Sequence, residues 1–296
     1  MKTTVSLVLG SGGARGYSHI GVIEELERRG YEIICVAGSS MGALVGGVYA
    51  AGRLPEYKEW VTSLKRIDVF RMMDLTLRGE GTIRGKRLMT NLREIVGNPL
   101  IQELPIPYTA VATDLTHQKE VWFQNGLMLD AIRASIAVPG FFTPVFEEDR
   151  VLVDGGVLNP IPIIPTVAAH ADLIIAVDLN AEACLPRVVM PETRYLDRTG
   201  FSDEWHLDGA PQVEDEQLAE STPHKAVGRI DVLLNAVEVM QESLGKYKVA
   251  GYPPDLLIGI PKDACSFYEF HRGTEMIELG REMAAQSLLG LEQSMR

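Results

Sequence analysis

The chain has 296 residues, of which 46% are hydrophobic and 23% are charged, a composition typical of a soluble globular protein with a substantial core. Its 40 acidic side chains outnumber its 28 basic ones, and the net charge of -12 disfavours electrostatic binding to nucleic acid and broad adhesion to anionic membranes. Cys35, Cys184 and Cys265 are widely spaced without a CxxC pattern, so we expect neither a disulfide framework nor a zinc site, and a reducing, cytoplasmic location.

Neither the N-terminus nor a later segment has the pattern of a membrane-inserting sequence. The apolar stretch of MKTTVSLVLGSGG breaks into glycines, which predicts a first strand rather than a signal peptide. The most apolar later segment, residues 157–177, is interrupted by three prolines, His170 and Asp172, so we expect no transmembrane helix.

The first fifty residues predict a βαβ unit. An apolar run at 5–10 and another at 32–38 indicate buried strands, and helical apolar spacing at 18–30 places a helix between them. Because such crossovers are almost always right-handed and join parallel strands, the C-terminal ends of both strands should lie at one edge of the sheet. A second helix is predicted at 41–52.

The alternation of strands and helices continues to the C-terminus and predicts a single α/β domain over residues 1–296. Further strands are expected at 108–115, 120–123, 150–156, 172–180 and 255–260, a helix at 127–137, and C-terminal helices within 225–296. Residues 187–222 carry nine acidic and three basic side chains and predict an acidic surface insertion. That insertion is either a solvated loop without a role or a lid over an active site.

A glycine-rich loop, GSGGARG at 10–16, joins the first strand to the first helix. Gly12, Gly13 and Gly16 allow a tight turn whose N–H groups point one way at a helix N-terminus, which suits an anion. A dinucleotide phosphate loop is the alternative, but the G-x-G-x-x-G spacing fails and no acidic residue clearly ends the second strand.

The octapeptide AGSSMGAL, residues 37–44, contains Ser40 in a G-x-S-x-G motif flanked by Gly38 and Gly42. A predicted strand precedes it and a predicted helix follows it, which is the setting of a nucleophile elbow. The alternative is that Ser39 or Ser40 caps the helix N-terminus. A nucleophilic serine needs donors for an oxyanion, and the amides of Gly12, Gly13, Ala14 and Met41 are the candidates, because the two loops should share one sheet edge.

No histidine has a local pattern that marks it as the base for Ser40. His19 follows the glycine loop and is expected to pack or bond within its helix. Asp154 ends an apolar strand and is followed by two glycines that allow close approach of the chain, so it is a candidate acid or base. An ordinary Asp-Gly turn is the alternative.

Three segments in order, GSGGARGYSHIGV, GSSMGAL and VLVDGGVLNPIP, resemble the bacterial branch of the patatin-like phospholipase family. RASIAVPGFFTPV and AVATDLT are similar to family segments as well. The resemblance implies a three-layer α/β/α fold with a mainly parallel central sheet, and a Ser40–Asp154 dyad without a third residue. It also implies an oxyanion hole lined by the amides of Gly12, Gly13, Ala14 and Arg15. The family commonly has glycine where this chain has Ser11, and the Arg15 side chain is expected either to position the loop or to face solvent.

The expected activity is that of a serine acyl-ester hydrolase of the phospholipase A, lysophospholipase or esterase type, without a metal or cofactor, acting through an acyl-enzyme. The alternative is a regulatory or scaffold family member with little lipase activity. The expected ligands are a phospholipid, a lysophospholipid or another fatty acyl ester, with transient contact with a membrane surface. Residues 66–79 combine apolar and basic side chains, and they either border the acyl site or form a core helix followed by a loop.

Overall fold

The computed structural model describes residues 2–72, 83–182 and 229–294. Within these ranges the strands are β1 Thr4–Leu9, β2 Glu32–Ser39, β3 Tyr108–Asp114, β4 Lys119–Phe123, β5 Val145–Glu147, β6 Arg150–Asp154, β7 Leu173–Ala181 and β8 Leu256–Pro261. The α-helices are α1 Ser18–Arg28, α2 Met41–Ala50, α3 Leu54–Ser63, α4 Arg66–Met72, α5 Lys86–Val96, α6 Met128–Ser135, α7 Arg229–Gly251 and α8 Gly273–Ser294. Short 3-10 segments lie at Gly13–Tyr17, Ile101–Glu103, Gly155–Val157 and Ile164–Ala169.

The strands form one mixed sheet in the order β5-β6-β3-β2-β1-β7-β8, and β4 pairs with β3 as well. The five strands from β3 to β8 in this order are mutually parallel, whereas β4, β5 and β6 pair antiparallel. The sheet is therefore parallel from β3 through to β8 in this order, and three antiparallel strands join it at β3: β4 and β6 directly, and β5 through β6.

Helices cover both faces of the sheet, which makes the fold three-layered. Leu7 and Leu9 of β1 face the larger core, which α1, α2 and α8 complete. Val8 faces the opposite side, where it packs with Ile161 and Ile163 in a smaller core beside α7. Because central parallel strands are buried on both faces, they appear in the sequence as continuous apolar runs. The expected three-layer α/β/α class is confirmed.

The predicted strands and helices agree with the structure, and three further elements were not predicted: α3, α5 and the three-residue strand β5. The C-terminal part expected to be helical contains α7 and α8 with the predicted strand β8 between them. The acidic segment 187–222 lies outside the described residues, and of the segment 66–79 only α4 lies within them. None of the helices within the described ranges is long and apolar enough to cross a membrane.

The ends of β2 and β6 meet along one edge of β3, and this arrangement positions the candidate site. Ser39, the last residue of β2, pairs with Val111 of β3, and Asp154, the last residue of β6, pairs with the next residue, Ala112. Since β4 pairs with residues 110–114 from the other edge of β3, β2 and β6 must share the remaining edge. The two strands run toward each other because β2 is parallel and β6 antiparallel to β3.

Candidate active site

Ser40 occupies a strained backbone conformation between β2 and α2. Its φ is 56° and its ψ is -123°, a combination that a non-glycine residue rarely adopts, and the residue is buried. Its side chain makes no capping hydrogen bond to α2, and the buried Ser39 hydroxyl has no hydrogen-bond partner among the described residues. Ser40 thus occupies the N-cap position of α2, but neither serine side chain caps the helix, so capping does not account for the strain.

The two glycines of the motif allow three backbone segments to approach one another. A Cβ on Gly38 would lie 2.3 Å from the Gly42 carbonyl carbon, and a Cβ on Gly42 would lie 2.0 Å from the Leu9 oxygen. Both distances are far below a normal carbon contact. The turn at Ser40 can therefore pack against the end of β1 only when both positions lack a side chain, which is the physical requirement behind G-x-S-x-G.

Ser135, the last residue of α6, supports this turn from the side. Its hydroxyl accepts a hydrogen bond from the Ser40 N–H at 2.9 Å and donates one to the Val111 oxygen at 2.6 Å. All of these groups are buried. The hydroxyl thus connects the strained serine directly to β3.

Asp154 is fully buried beside Ser40. Its Oδ1 accepts a hydrogen bond from the Gly156 N–H at 2.7 Å, and its Oδ2 has no partner of regular geometry among the described residues. Burial raises the pKa of Asp154 to about 7, against the opposing effects of a hydrogen bond from the Ser40 hydroxyl and of the Gly156 N–H. The Ser40 hydroxyl therefore lies close enough to the carboxyl to lower its pKa, although no hydrogen bond of regular geometry joins the two side chains.

The glycine loop contributes backbone N–H groups to the same place. Gly13, with φ 57°, lines one cavity together with Ser40 and Met41. Within the described part of the chain, no acceptor engages the N–H groups of Gly12, Gly13 or Met41, which lie at the starts of helical segments. The Ala14 N–H is different, because it donates to the Phe267 oxygen at 2.8 Å. The expectation that Ala14 supplies a free donor is therefore wrong for this conformation.

The Arg15 side chain is buried and faces away from the cavity. Its guanidinium donates to the backbone oxygens of Lys262 and Cys265 at 3.1 and 3.2 Å, to Asn180 Oδ1 at 3.1 Å and to Glu238 Oε1 at 2.7 Å. The Arg15 side chain was expected either to position the loop or to face solvent, and in the structure it positions the loop. The guanidinium ties the glycine loop to β7, to α7 and to the segment that follows β8.

His19 lies beneath the glycine loop rather than beside Ser40. Its Nε2 donates to the Gly10 oxygen at 2.9 Å, and burial lowers its pKa to about 4, so the ring is neutral near neutral pH. The predicted packing role is correct, but the hydrogen bond goes to the loop rather than to its own helix. His19 is therefore a structural support and not the base.

The cavity at Ser40 is apolar and has a volume of about 80 Å³. Aromatic rings form much of its wall: Tyr17, Tyr57, Trp60, Phe141, Phe267 and Phe270. Aliphatic side chains form the rest of it, some of them from α2, α4 and α5, and Val69 and Met72 are the contribution of α4. The described part of the segment 66–79 therefore borders the cavity, as one of the two alternatives had it.

The chain is similar in sequence to known proteins over most of its length. The sequence profile of the patatin-like phospholipase family matches residues 7–167, which span all three loops. The chain belongs to the patatin-like phospholipase family. It is 41% identical to an uncharacterized NTE family protein of Mycobacterium tuberculosis, over 97% of this chain and 92% of that protein.

Two longer patatin-like relatives match a smaller part of the chain. Patatin-like phospholipase domain-containing protein 6 of Homo sapiens is 31% identical over 60% of this chain and 14% of its own length. Lysophospholipase NTE1 of Yarrowia lipolytica is 32% identical over 60% of this chain and 13% of its own length. The matched part thus corresponds to one portion of those proteins.

Local sequence patterns did not predict the groups that support the three loops. Ser135 lies within RASIAVPGFF, a segment noted only as similar to the family, and its position at a predicted helix end beside small residues was the available signal. Glu238 and Asn180, the side-chain partners of Arg15, have no local signal, because they come from elements distant in the chain.

Proposed function

We propose that this chain is a serine acyl-ester hydrolase of the phospholipase A, lysophospholipase or esterase type, with Ser40 as nucleophile and Asp154 as its base. One observation carries the proposal: a strained serine that lines an apolar cavity lies beside a fully buried carboxyl whose pKa burial raises to about 7. Near neutral pH such a carboxyl is a far better proton acceptor than an exposed aspartate.

In the proposed reaction the Ser40 oxygen attacks the ester carbonyl carbon while its proton passes to the Asp154 carboxylate. The N–H groups of Gly12, Gly13 and Met41, which have no other acceptor among the described residues, are the proposed oxyanion donors, each contributing about 3 kcal/mol to the barrier reduction. Collapse of the intermediate expels the alcohol, which takes the proton back from Asp154. Water, deprotonated by Asp154, then releases the fatty acid and frees Ser40.

The substrate class follows from the walls of the cavity. Nearly all of its lining is aromatic or aliphatic, so it suits an acyl chain and offers little to a charged head group. The relative named lysophospholipase supports a lipid ester as substrate. A fatty acyl chain within the cavity would place its ester near Ser40 and leave the alcohol portion toward solvent.

The proposal is tested with purified wild type, Ser40→Ala and Asp154→Asn on a soluble nitrophenyl ester and on a panel of phospholipids and lysophospholipids. We expect Ser40→Ala to lose at least about a thousandfold in turnover and Asp154→Asn to lose most activity while remaining folded. Labelling of wild type, but not of Ser40→Ala, by a serine-reactive phosphonate separates an enzyme from a scaffold. Unchanged turnover in Ser40→Ala, or no labelling of wild type, contradicts the proposal.

A further inference from the structure

The charge of this chain is distributed unevenly. Residues 65–96 carry eight Lys or Arg against four Asp or Glu, whereas the rest of the chain carries 20 against 36. A chain with a net charge of -12 thus contains one stretch with an excess of positive charge. Within it lie α4 and α5, both of which contribute side chains to the wall of the cavity.

The helix α4 has an inner and an outer side. Val69 and Met72 face the cavity, where they lie with Ser40 in its lining. Ile67 and Phe70 point the other way, with 52% and 62% of their surfaces exposed. Large apolar side chains exposed side by side on one helical turn lack an obvious role in a monomer.

Exposed cations outnumber acidic side chains on and beside α4, whose one acidic residue is Asp68. Lys65, Arg66 and Arg71 are exposed on α4 and just before it. The N-terminal turn of α5 lies alongside, because the Arg87 side chain donates to the Arg71 oxygen at 2.6 Å. Arg84 and Lys86 at that turn are exposed as well. We call α4 with Lys65 and residues 84–87 the α4–α5 face.

We propose that the α4–α5 face docks the protein on an anionic lipid–water interface, with Ile67 and Phe70 inserted among the acyl chains and the cations against the lipid phosphates. The inference rests on the proposed function, since it makes this face the entry side of the acyl cavity. Three observations select this occupant: the positive charge of the face in an acidic chain, apolar side chains at its centre, and the position of α4 as a wall of that cavity.

The negative charge of the remaining surface supports this orientation. An anionic surface repels the net negative charge of the rest of the chain and attracts this face, so the chain approaches the lipid with α4 foremost. A lipid that leaves the bilayer beside α4 then reaches Ser40 along an apolar wall formed in part by Val69 and Met72.

The test uses the full chain carrying Ser40→Ala, so that vesicles stay intact, and measures co-sedimentation with two kinds of vesicle. We expect stronger binding to vesicles of phosphatidylcholine mixed with phosphatidylglycerol than to phosphatidylcholine alone, and a loss of this difference at high salt. Phe70→Ser should lower the partition coefficient about tenfold. Phe146→Ser, which removes a ring that is 76% exposed on β5, is the matched control and should leave partition unchanged.

Charge is tested in the same way with Arg71→Glu and with Lys119→Glu, an exposed cation on β4, as its control. Only Arg71→Glu should lower partition to the anionic vesicles, by about tenfold. Equal partition of Phe70→Ser and Phe146→Ser, equal binding to both vesicle types, or a self-association of the chain that Phe70→Ser abolishes would overturn the proposal.

Hydrolysis of a soluble short-chain ester keeps the two proposals distinguishable. In the Ser40-containing background, Phe70→Ser should hydrolyse this ester as fast as wild type but should be about tenfold slower on anionic vesicles. A wild type without activity on the soluble ester contradicts the proposed function. A Phe70→Ser variant with full activity on vesicles contradicts only the docking face.

Discussion

Ser40 follows the last residue of β2, and Asp154 is the last residue of β6. These two strands run head to head along one edge of β3. Ser39 pairs with Val111 and Asp154 with Ala112, so consecutive residues of a single strand set the separation of the two side chains. A carboxyl held in this way needs no third side chain to orient it, because the register of β6 and the hydrogen bond from the Gly156 N–H fix its position. This arrangement accounts for a candidate site without histidine.

The first prediction concerns the pH dependence of activity. Because burial raises the pKa of Asp154 to about 7, the carboxyl is ionised and able to accept a proton only above that pH. The kcat/KM for a soluble ester should therefore rise through about pH 7 and fall about tenfold for each pH unit well below it. The measurement is a pH–rate profile on a non-ionising ester.

Asp178 provides the control for this profile. It is a half-buried carboxyl whose pKa burial also raises, but it lies on β7, where it accepts a hydrogen bond from the Asn180 N–H. Asp178→Asn should keep the acidic limb at its wild-type position. If the acidic limb moved in Asp178→Asn, the titrating group would not be Asp154. If the limb lay near the ordinary pKa of aspartate, the titrating group would be an exposed carboxyl.

The second prediction concerns stability. The pKa of Asp154 is about 7 in the folded chain and 3.8 for an ordinary aspartate, so the folded state binds the proton more tightly than the unfolded state. Ionisation thus destabilises the fold, and the effect begins above the unfolded pKa and is complete above about pH 7. The free energy of unfolding of Asp154→Asn should therefore increase relative to that of wild type across this pH range, by about 4 kcal/mol at its upper end.

Urea unfolding of both proteins at about pH 5 and about pH 8 checks this prediction. The free energy of unfolding of Asp154→Asn, relative to wild type, should be larger at the higher pH. Identical pH slopes for the two proteins would mean that Asp154 is not the buried, weakly ionised group described above.

Local patterns were sufficient to predict most of the fold and the residues of the candidate site. The strands at 5–10, 32–38 and 172–180 are continuous apolar runs because helices cover both of their faces, and Ser40 is marked by the strand and helix next to it. In contrast, α3 and α5 border solvent over much of their surface, and the three residues of β5 are too few for a pattern.

Contacts between distant parts of the chain could not be predicted in the same way. Ser135 is 95 residues from Ser40, and Glu238 is 223 residues from Arg15. The engagement of the Ala14 N–H likewise depends on how the segment containing Phe267 packs over the glycine loop. Such contacts follow from the tertiary arrangement, and a single sequence carries no periodicity that reports them.

The third prediction concerns Ser135. Ser135→Ala leaves the Ser40 N–H and the Val111 oxygen without their buried partner, which should cost about 1 to 3 kcal/mol of stability. A less firmly held Ser40 should lower kcat about tenfold with little change in KM, because the ground-state contacts of the acyl chain are unaffected. Steady-state kinetics on the soluble ester separate the two parameters.

Ser287→Ala is the matched control. The Ser287 hydroxyl is half-buried and donates only to the Met283 oxygen of its own helix, so its removal should leave kcat unchanged. A loss in Ser135→Ala that appears entirely in KM, or a loss of stability without any change in kcat, would show that Ser135 supports the core and not the serine turn.

The last prediction concerns Arg15, whose guanidinium donates to acceptors from three parts of the chain. A lysine ammonium is a single nitrogen and cannot span oxygens from β7, α7 and the segment after β8 at once. Arg15→Lys should therefore leave buried acceptors unpaired and lower the free energy of unfolding by about 2 kcal/mol. It should lower kcat as well, because the N–H groups of Gly12 and Gly13 belong to the loop that the guanidinium holds.

Arg53→Lys is the control, because it replaces a guanidinium that lies outside the buried network. Arg53 forms an exposed pair with Glu56 on α3, and replacing it should change the free energy of unfolding by less than about 0.5 kcal/mol and leave kcat unaltered. Glu238→Gln keeps an acceptor for Arg15, so its losses of stability and of kcat should lie between those of Arg15→Lys and Arg53→Lys. If Arg15→Lys matched Arg53→Lys in both stability and kcat, the buried network would not be what positions the glycine loop, and the placement of its donors would have to come from the backbone alone.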